Sequence, residues 1–219
     1  MLQNIKMTFD RIFRMVIYWV SRKISWFDRT NRLDTETFVN KEDLYDTIDS
    51  ANKEFMNKYE PTDARQFSRI CSQLKIIDDT IQDYGFIDYG CGKGRVLVLA
   101  QRMGFKHVIG VEFSRNLYEI CKKNMEREQL SDVGIHCVDA VHYKLSGDIR
   151  TFYFFNPFQY NVLKEVLKKI KDYIITKHYD GYIVYVCPRD FEKLDPAEYE
   201  LLFQDGGNIQ PFQIYKILK

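Results

Sequence analysis

Apolar positions recur along this chain in two periods, and the change between them divides it. Residues 1–27 carry Ile5, Phe9, Ile12, Phe13, Val16, Ile17, Val20, Ile24 and Phe27. Spacings of three and four residues predict an amphipathic helix. Asp28 to Asn40 is polar and reads as a connection, and Lys41 to Tyr59 returns to a helix-compatible pattern through Leu44, Tyr45, Ile48, Phe55 and Met56. Pro61 stops that segment, and Thr62 or Asp63 can cap the next helix, whose apolar face is Phe67, Ile70, Cys71, Leu74 and Ile77.

Beyond Gly85 short apolar runs alternate with helical periods. Strands are predicted at Phe86–Tyr89, His107–Glu112, Gly134–Asp139, Thr151–Asn156 and Tyr182–Cys187. Helices are expected after the first, from Ser114 to about Glu128, and through Val162, Leu163, Val166, Leu167, Ile170 and Ile174. Asp190 opens a short helical stretch. Tyr199–Phe203 and Phe212–Leu218 read as a closing antiparallel hairpin around Gly206-Gly207. The expected fold is α/β: a doubly wound, mostly parallel seven-stranded sheet with a C-terminal antiparallel hairpin and an N-terminal helical extension. Residues 1–58 form the extension and 59–219 the main domain.

The candidate chemistry sits at the carboxyl ends of these strands, where such sheets bind ligands. Gly90, Gly92 and Gly94 occur at every second position directly after the first strand. The third glycine comes one residue too early for a dinucleotide fingerprint, and Lys93 is not followed by Ser or Thr as a phosphate loop requires. Asp88, just before the loop, repels a pyrophosphate and suits a cationic group. Glu112 ends strand two, where a carboxylate can accept both hydroxyls of a ribose. Asp139 ends strand three, followed by Ala140, where an adenine edge can be read. Asn156-Pro157-Phe158 ends strand four, where a substrate meets a cofactor.

Asp88-Tyr89-Gly90-Cys91-Gly92-Lys93-Gly94-Arg95, Gly110-Val111-Glu112-Phe113-Ser114 and Val138-Asp139-Ala140 resemble the successive motifs of class I, Rossmann-like S-adenosylmethionine-dependent methyltransferases. The D-x-G-C-G-K-G-R and F-N-P-F motifs suggest a bacterial-type subfamily. The resemblance spans about residues 59 to 219. It implies that the loop, with Asp88, Gly90, Cys91, Gly92 and Gly94, touches the methionine part of S-adenosyl-L-methionine. It further implies that Glu112, with Phe113 beside it, binds the ribose, and that Asp139 and Ala140 bind the adenine. Tyr59-Glu60-Pro61-Thr62 is similar to a Tyr-x-Pro segment of some protein-lysine methyltransferases, which adds Tyr59 to the cofactor set.

Asn156, Pro157 and Phe158 resemble the D/N-P-P-Y/F motif of amino-group methyltransferases and are the candidate catalytic residues. Gln159 stands after Phe158, and the motif has a single proline. A neutral amine needs only acceptors that orient its lone pair, whereas an oxygen nucleophile needs a base or a metal. No histidine adjoins Asn156 and no metal pattern follows strand four. The expected activity is therefore methyl transfer to nitrogen, on a protein side chain or a small molecule. An O-methyltransferase and a non-catalytic cofactor-binding scaffold are the alternatives.

Composition narrows the partners. The chain has 219 residues and a net charge of +1, which argues against a nucleic-acid partner. Cys71, Cys91, Cys121, Cys137 and Cys187 form no C-x-x-C pair, so a reduced, cytoplasmic setting without a metal site is expected. Two readings of residues 1–27 stand. One is a cap on the main domain or on a second subunit. The other is a basic helix lying on an anionic membrane with Trp19 and Trp26 at the interface, too short to span it.

Overall fold

The computed structural model describes residues 27–36, 38–40, 44, 52–55, 57–188, 194–206 and 210–219. The helices expected over residues 1–26 and from Asp190, and Gly207 of the closing turn, lie outside the described residues.

Seven strands form one sheet: β1 (Gly85–Tyr89), β2 (His107–Glu112), β3 (Gly134–Cys137), β4 (Ile149–Phe155), β5 (Tyr182–Val186), β6 (Tyr199–Asp205) and β7 (Phe212–Ile217). Their order is β3-β2-β1-β4-β5-β7-β6. The first five are parallel, and β7 enters antiparallel between β5 and β6. The order reverses between β1 and β4, and that switch point opens a crevice at the carboxyl ends of the strands.

The helices are α1 (Phe27–Asn31), α2 (Ala64–Ile77), α3 (Arg95–Arg102), α4 (Arg115–Arg127) and α5 (Tyr160–Ile175). Asp63 caps α2 by accepting from the backbone N–H groups of Arg65 and Gln66, and Ser114 caps α4 through Leu117. Each face of the sheet buries its own cluster. Phe67, Ile70 and Leu74 of α2 pack with Phe86, Tyr153 and Val184, while Val166, Leu167 and Ile170 of α5 pack with Ile87, Phe152 and Phe154. Central strands buried on both sides explain why β1, β4 and β5 read as continuous apolar runs.

Three expectations are corrected. β3 stops at Cys137 because Asp139 turns away to cap a 3₁₀ turn, Ala140–His142, its side chain accepting from Val141 N–H. The polar connection Asp28–Asn40 contains part of a helix, α1, and a tightly bonded turn. Where it is described, the segment 41–59 holds only a 3₁₀ turn, Lys53–Phe55, and then runs extended, with Tyr59 bridging Val39 antiparallel. Its backbone groups bond across to the turn after β4: Asn57 N–H donates to Pro157 O at 3.0 Å, and Gln159 N–H to Phe55 O at 2.8 Å. These tertiary partners replace the local bonds that a helix would have made.

Candidate functional site

The glycine loop leaves β1 and folds back over the end of β2. Gly90 N–H and Cys91 N–H both donate to Val111 O, at 2.8 and 3.1 Å. Gly90 and Gly92 adopt positive φ, 84° and 55°. A Cβ on Gly92 would lie 2.2 Å from the Tyr59 ring, and one on Gly90 would lie 2.5 Å from Pro157 Cβ. Glycine is required at both positions, since other walls of the cleft touch the loop backbone. Gly94 faces elsewhere: it starts α3 at φ 86°, and a Cβ there would strike Cys121 Sγ on α4 at 2.6 Å.

Four acidic residues line one cleft with this loop: Glu60, and Asp88, Glu112 and Asp139 at or near strand ends. Glu112 is buried, and its oxygens accept from Gly92 N–H and from Ser114 N–H, both at 2.7 Å. Asp139 accepts from Val141 N–H at 3.0 Å and from Asn52 Nδ2 at 2.9 Å. Asp88 sits in β1 between Gly110 of β2 and Tyr153 of β4. Burial, and after it the Glu112 charge, hold the Asp88 carboxyl well above the usual carboxylate range. Burial also raises Glu112, while the N–H groups of Ser114, Gly92 and Phe113 pull it back.

The Asp88 shift fixes the sign of a pH effect. Unfolded, this carboxyl ionises near about pH 4. Folded, it keeps its proton to higher pH, so the folded chain binds more protons in between and loses stability as pH rises through that window. Asp88→Asn removes the penalty. Thermal melts should show the variant gaining on the wild type between pH 4 and pH 7.5; a Tm difference that is the same at both pH values would refute the assignment.

Phe113, Ala140, Pro157, Phe158, Cys91 and Tyr59 also line the cleft. Phe158 meets Phe154 edge-on, ring centres 6.1 Å apart. A hydrogen bond with the Cys121 thiol, and burial, push the Cys91 thiol up, which leaves it an unreactive packing group. Tyr59 donates its hydroxyl to Thr35 O at 2.8 Å. Asn156 is not among the lining residues. Its backbone is left-handed, φ 42°, and its main-chain and side-chain oxygens both accept from Asn57 Nδ2, at 2.9 and 3.3 Å. Asn57→Ala removes these bonds from a half-buried turn. We expect a loss of about 1–2 kcal/mol in urea unfolding, and an unchanged midpoint would show that the turn holds itself.

Sequence reasoning missed the wall supplied by the segment before α2. Leu44, Asn52, Asn57 and Thr62 all face the cleft, and Thr62 pairs with the Tyr153 hydroxyl at 3.0 Å. It also missed Arg95, a buried residue that itself lines the cleft. Arg95 Nε donates to Thr35 Oγ1 at 2.7 Å, a terminal nitrogen reaches Thr62 O at 3.3 Å, and Asp28 and Glu36 lie 3.3 and 3.6 Å from its charge. Only the basic letter in the glycine motif hinted at this, because all its partners are distant in sequence.

Residues 86–174 match the model of a methyltransferase domain family. A search of the curated proteins finds no match. Solved structures resemble the fold. A ribosomal protein L11 methylase from Lactobacillus delbrueckii subsp. bulgaricus is 12% identical, over 70% of this chain and 79% of that one, with a TM-score of 0.54. An RNA methyltransferase from Salinibacter ruber, in complex with S-adenosyl-L-homocysteine, is 14% identical over 73% and 94%, TM-score 0.55. A mutant of MtNAS in complex with S-adenosylmethionine is 11% identical over 70% and 62%, TM-score 0.54. Among the described residues no helix is long and apolar enough to cross a membrane.

Proposed function

We propose that this chain is an S-adenosyl-L-methionine-dependent methyltransferase acting on nitrogen, in a protein side chain or a small molecule. One observation carries the cofactor reading: Asp88, Glu112 and Asp139, at or just beyond the ends of three adjacent strands, converge with a Cβ-free glycine loop on a single cleft. That donor set suits a ligand with a cationic amino-acid end, a ribose and an adenine. Asp88 and the loop would hold the methionine part, Glu112 the ribose hydroxyls, and Asp139 with Ala140 the base. The match of residues 86–174 to a methyltransferase domain and the cofactor complexes among the structural neighbours support the same reading.

The cofactor, when bound, supplies an electrophilic methyl group on a sulfonium. The chain's own task is then to align a nucleophile and exclude water. The nitrogen reading rests on the turn after β4, of which Pro157 and Phe158, but not Asn156, line the cleft. Asn156 O, Asn156 Oδ1 and Pro157 O all accept from Asn57. Those oxygens are taken, so what the turn offers an amine in the cleft is the Phe158 ring beside its developing charge. Purified protein with labelled cofactor, offered protein extracts, small amines and small alcohols, tests this. Label in amine or side-chain nitrogen is expected; label only in hydroxyl groups refutes the nitrogen assignment.

Leu44, Asn52, Asn57 and Lys58 belong in this reading to the active-site wall rather than to a detachable extension. Phe27, the one residue of the expected membrane helix that is described, lies under Arg95 and Arg102, 4.8 and 5.5 Å from its ring. Peripheral membrane contact through residues 1–26 is a separate proposal. Liposome flotation with and without those residues decides it: equal flotation removes it.

A further inference from the structure

We infer that Asn52 is a base-specificity residue of the cofactor cleft, reading the purine edge jointly with Asp139; this rests on the cofactor reading above. Leu44, Phe113, Leu117, Val138 and Ala140 give the cleft an apolar lining, and Val138 and Ala140 flank Asp139 in the chain. Asn52 lines the same cleft and donates from Nδ2 to Asp139 Oδ2 at 2.9 Å. Only the amide nitrogen can face a carboxylate at that distance, so the orientation of the carboxamide is settled by its partner.

The pair therefore offers a carboxylate acceptor beside an amide whose two hydrogens are donors. The Watson–Crick edge of adenine carries the complement: an amino donor at C6 and an acceptor at N1. Asp139 can accept from the amino group, while Asn52, held in place by Asp139, presents N–H to N1. Inosine reverses both positions, with a carbonyl at C6 and N–H at N1. It would bring an oxygen against the Asp139 carboxylate and a donor against the Asn52 donor. The rejection comes from unpaired and opposed polar groups in an apolar-lined cleft, the kind of mismatch that sites discriminate well. Asn52 reaches Asp139 across 87 residues of sequence, from a segment with no motif to the turn just past β3.

Isothermal titration of the intact protein with S-adenosylhomocysteine and with S-inosylhomocysteine tests this. Wild type should prefer the adenine compound by about a hundredfold. Asn52→Ala should weaken S-adenosylhomocysteine about tenfold, one hydrogen bond's worth, and leave the inosine compound nearly unchanged, so that discrimination shrinks. Asn52→Gln, which keeps the amide, should retain more of the preference than Asn52→Ala. Leu44→Ala should weaken both compounds by the same factor, because it thins the wall without touching the edge. If Asn52→Ala weakens both compounds equally, or neither, the inference is overturned and the cofactor reading stands. If the wild type binds neither compound, both fall.

Discussion

Glu112→Ala should weaken S-adenosylhomocysteine binding by about a hundredfold or more. The carboxylate does two jobs at once. It is the group proposed to hold the ribose, and it already accepts from Gly92 N–H and Ser114 N–H at 2.7 Å each. Removing it leaves two buried donors without their acceptor, each costing about 1–3 kcal/mol. One of those donors belongs to the glycine loop itself, so the loop loses one of its ties to β2 and keeps those of Gly90 and Cys91 to Val111 O. Glu112→Gln is the sharper probe. Its amide has a single carbonyl oxygen and sets an N–H₂ against one of the two backbone donors, so it too should bind weakly. Titration calorimetry reads both variants. Wild-type affinity in Glu112→Ala would falsify the placement of the ribose.

Arg95→Met should lower stability by about 3–5 kcal/mol, the usual consequence of removing one partner from a buried ion pair. The guanidinium is 6% exposed, and its acidic partners Asp28 and Glu36 are 14% and 21% exposed. Without it both acids keep their charge in a poorly solvated place, while Thr62 O and Thr35 Oγ1 lose a donor. For a chain of this length the melting temperature should fall by roughly 10 °C. Combining Arg95→Met with Asp28→Asn should recover part of the loss, since the stranded charge goes. A single variant that melts with the wild type would show that Phe27–Glu36 is held by other contacts. Cofactor affinity should fall in parallel, because Thr35 O holds the Tyr59 hydroxyl and Tyr59 covers Gly92.

The parallel half of the fold was legible because each of its elements obeys a local rule. β2 ends at Glu112 and α4 is capped at Ser114, as the residues themselves required. β3 was read too long because Asp139 satisfies both a strand end and a cap, and only the bond to Val141 N–H decides between them. The region before α2 was read as helix because Leu44, Tyr45, Ile48 and Phe55 have helical spacing. Where it is described it runs instead along the turn after β4, and its backbone finds partners there. Periodicity reports which residues seek burial, but not which surface will receive them.

The sequence by itself determined the sheet's strands, the caps, and the three acids at or just beyond strand ends, for those properties live within a few residues of backbone. It also placed Gly90 and Gly92 at the loop, since no other residue accepts such turns cheaply. The tertiary structure alone decided that Asn52 meets Asp139, that Asn57 takes both oxygens of Asn156, and that Arg95 is buried among Asp28, Thr35, Glu36 and Thr62. The reason is physical. A polar side chain placed far along the chain from its partner shows no local period or propensity. Its position is chosen only when packing brings the two together and leaves each without water.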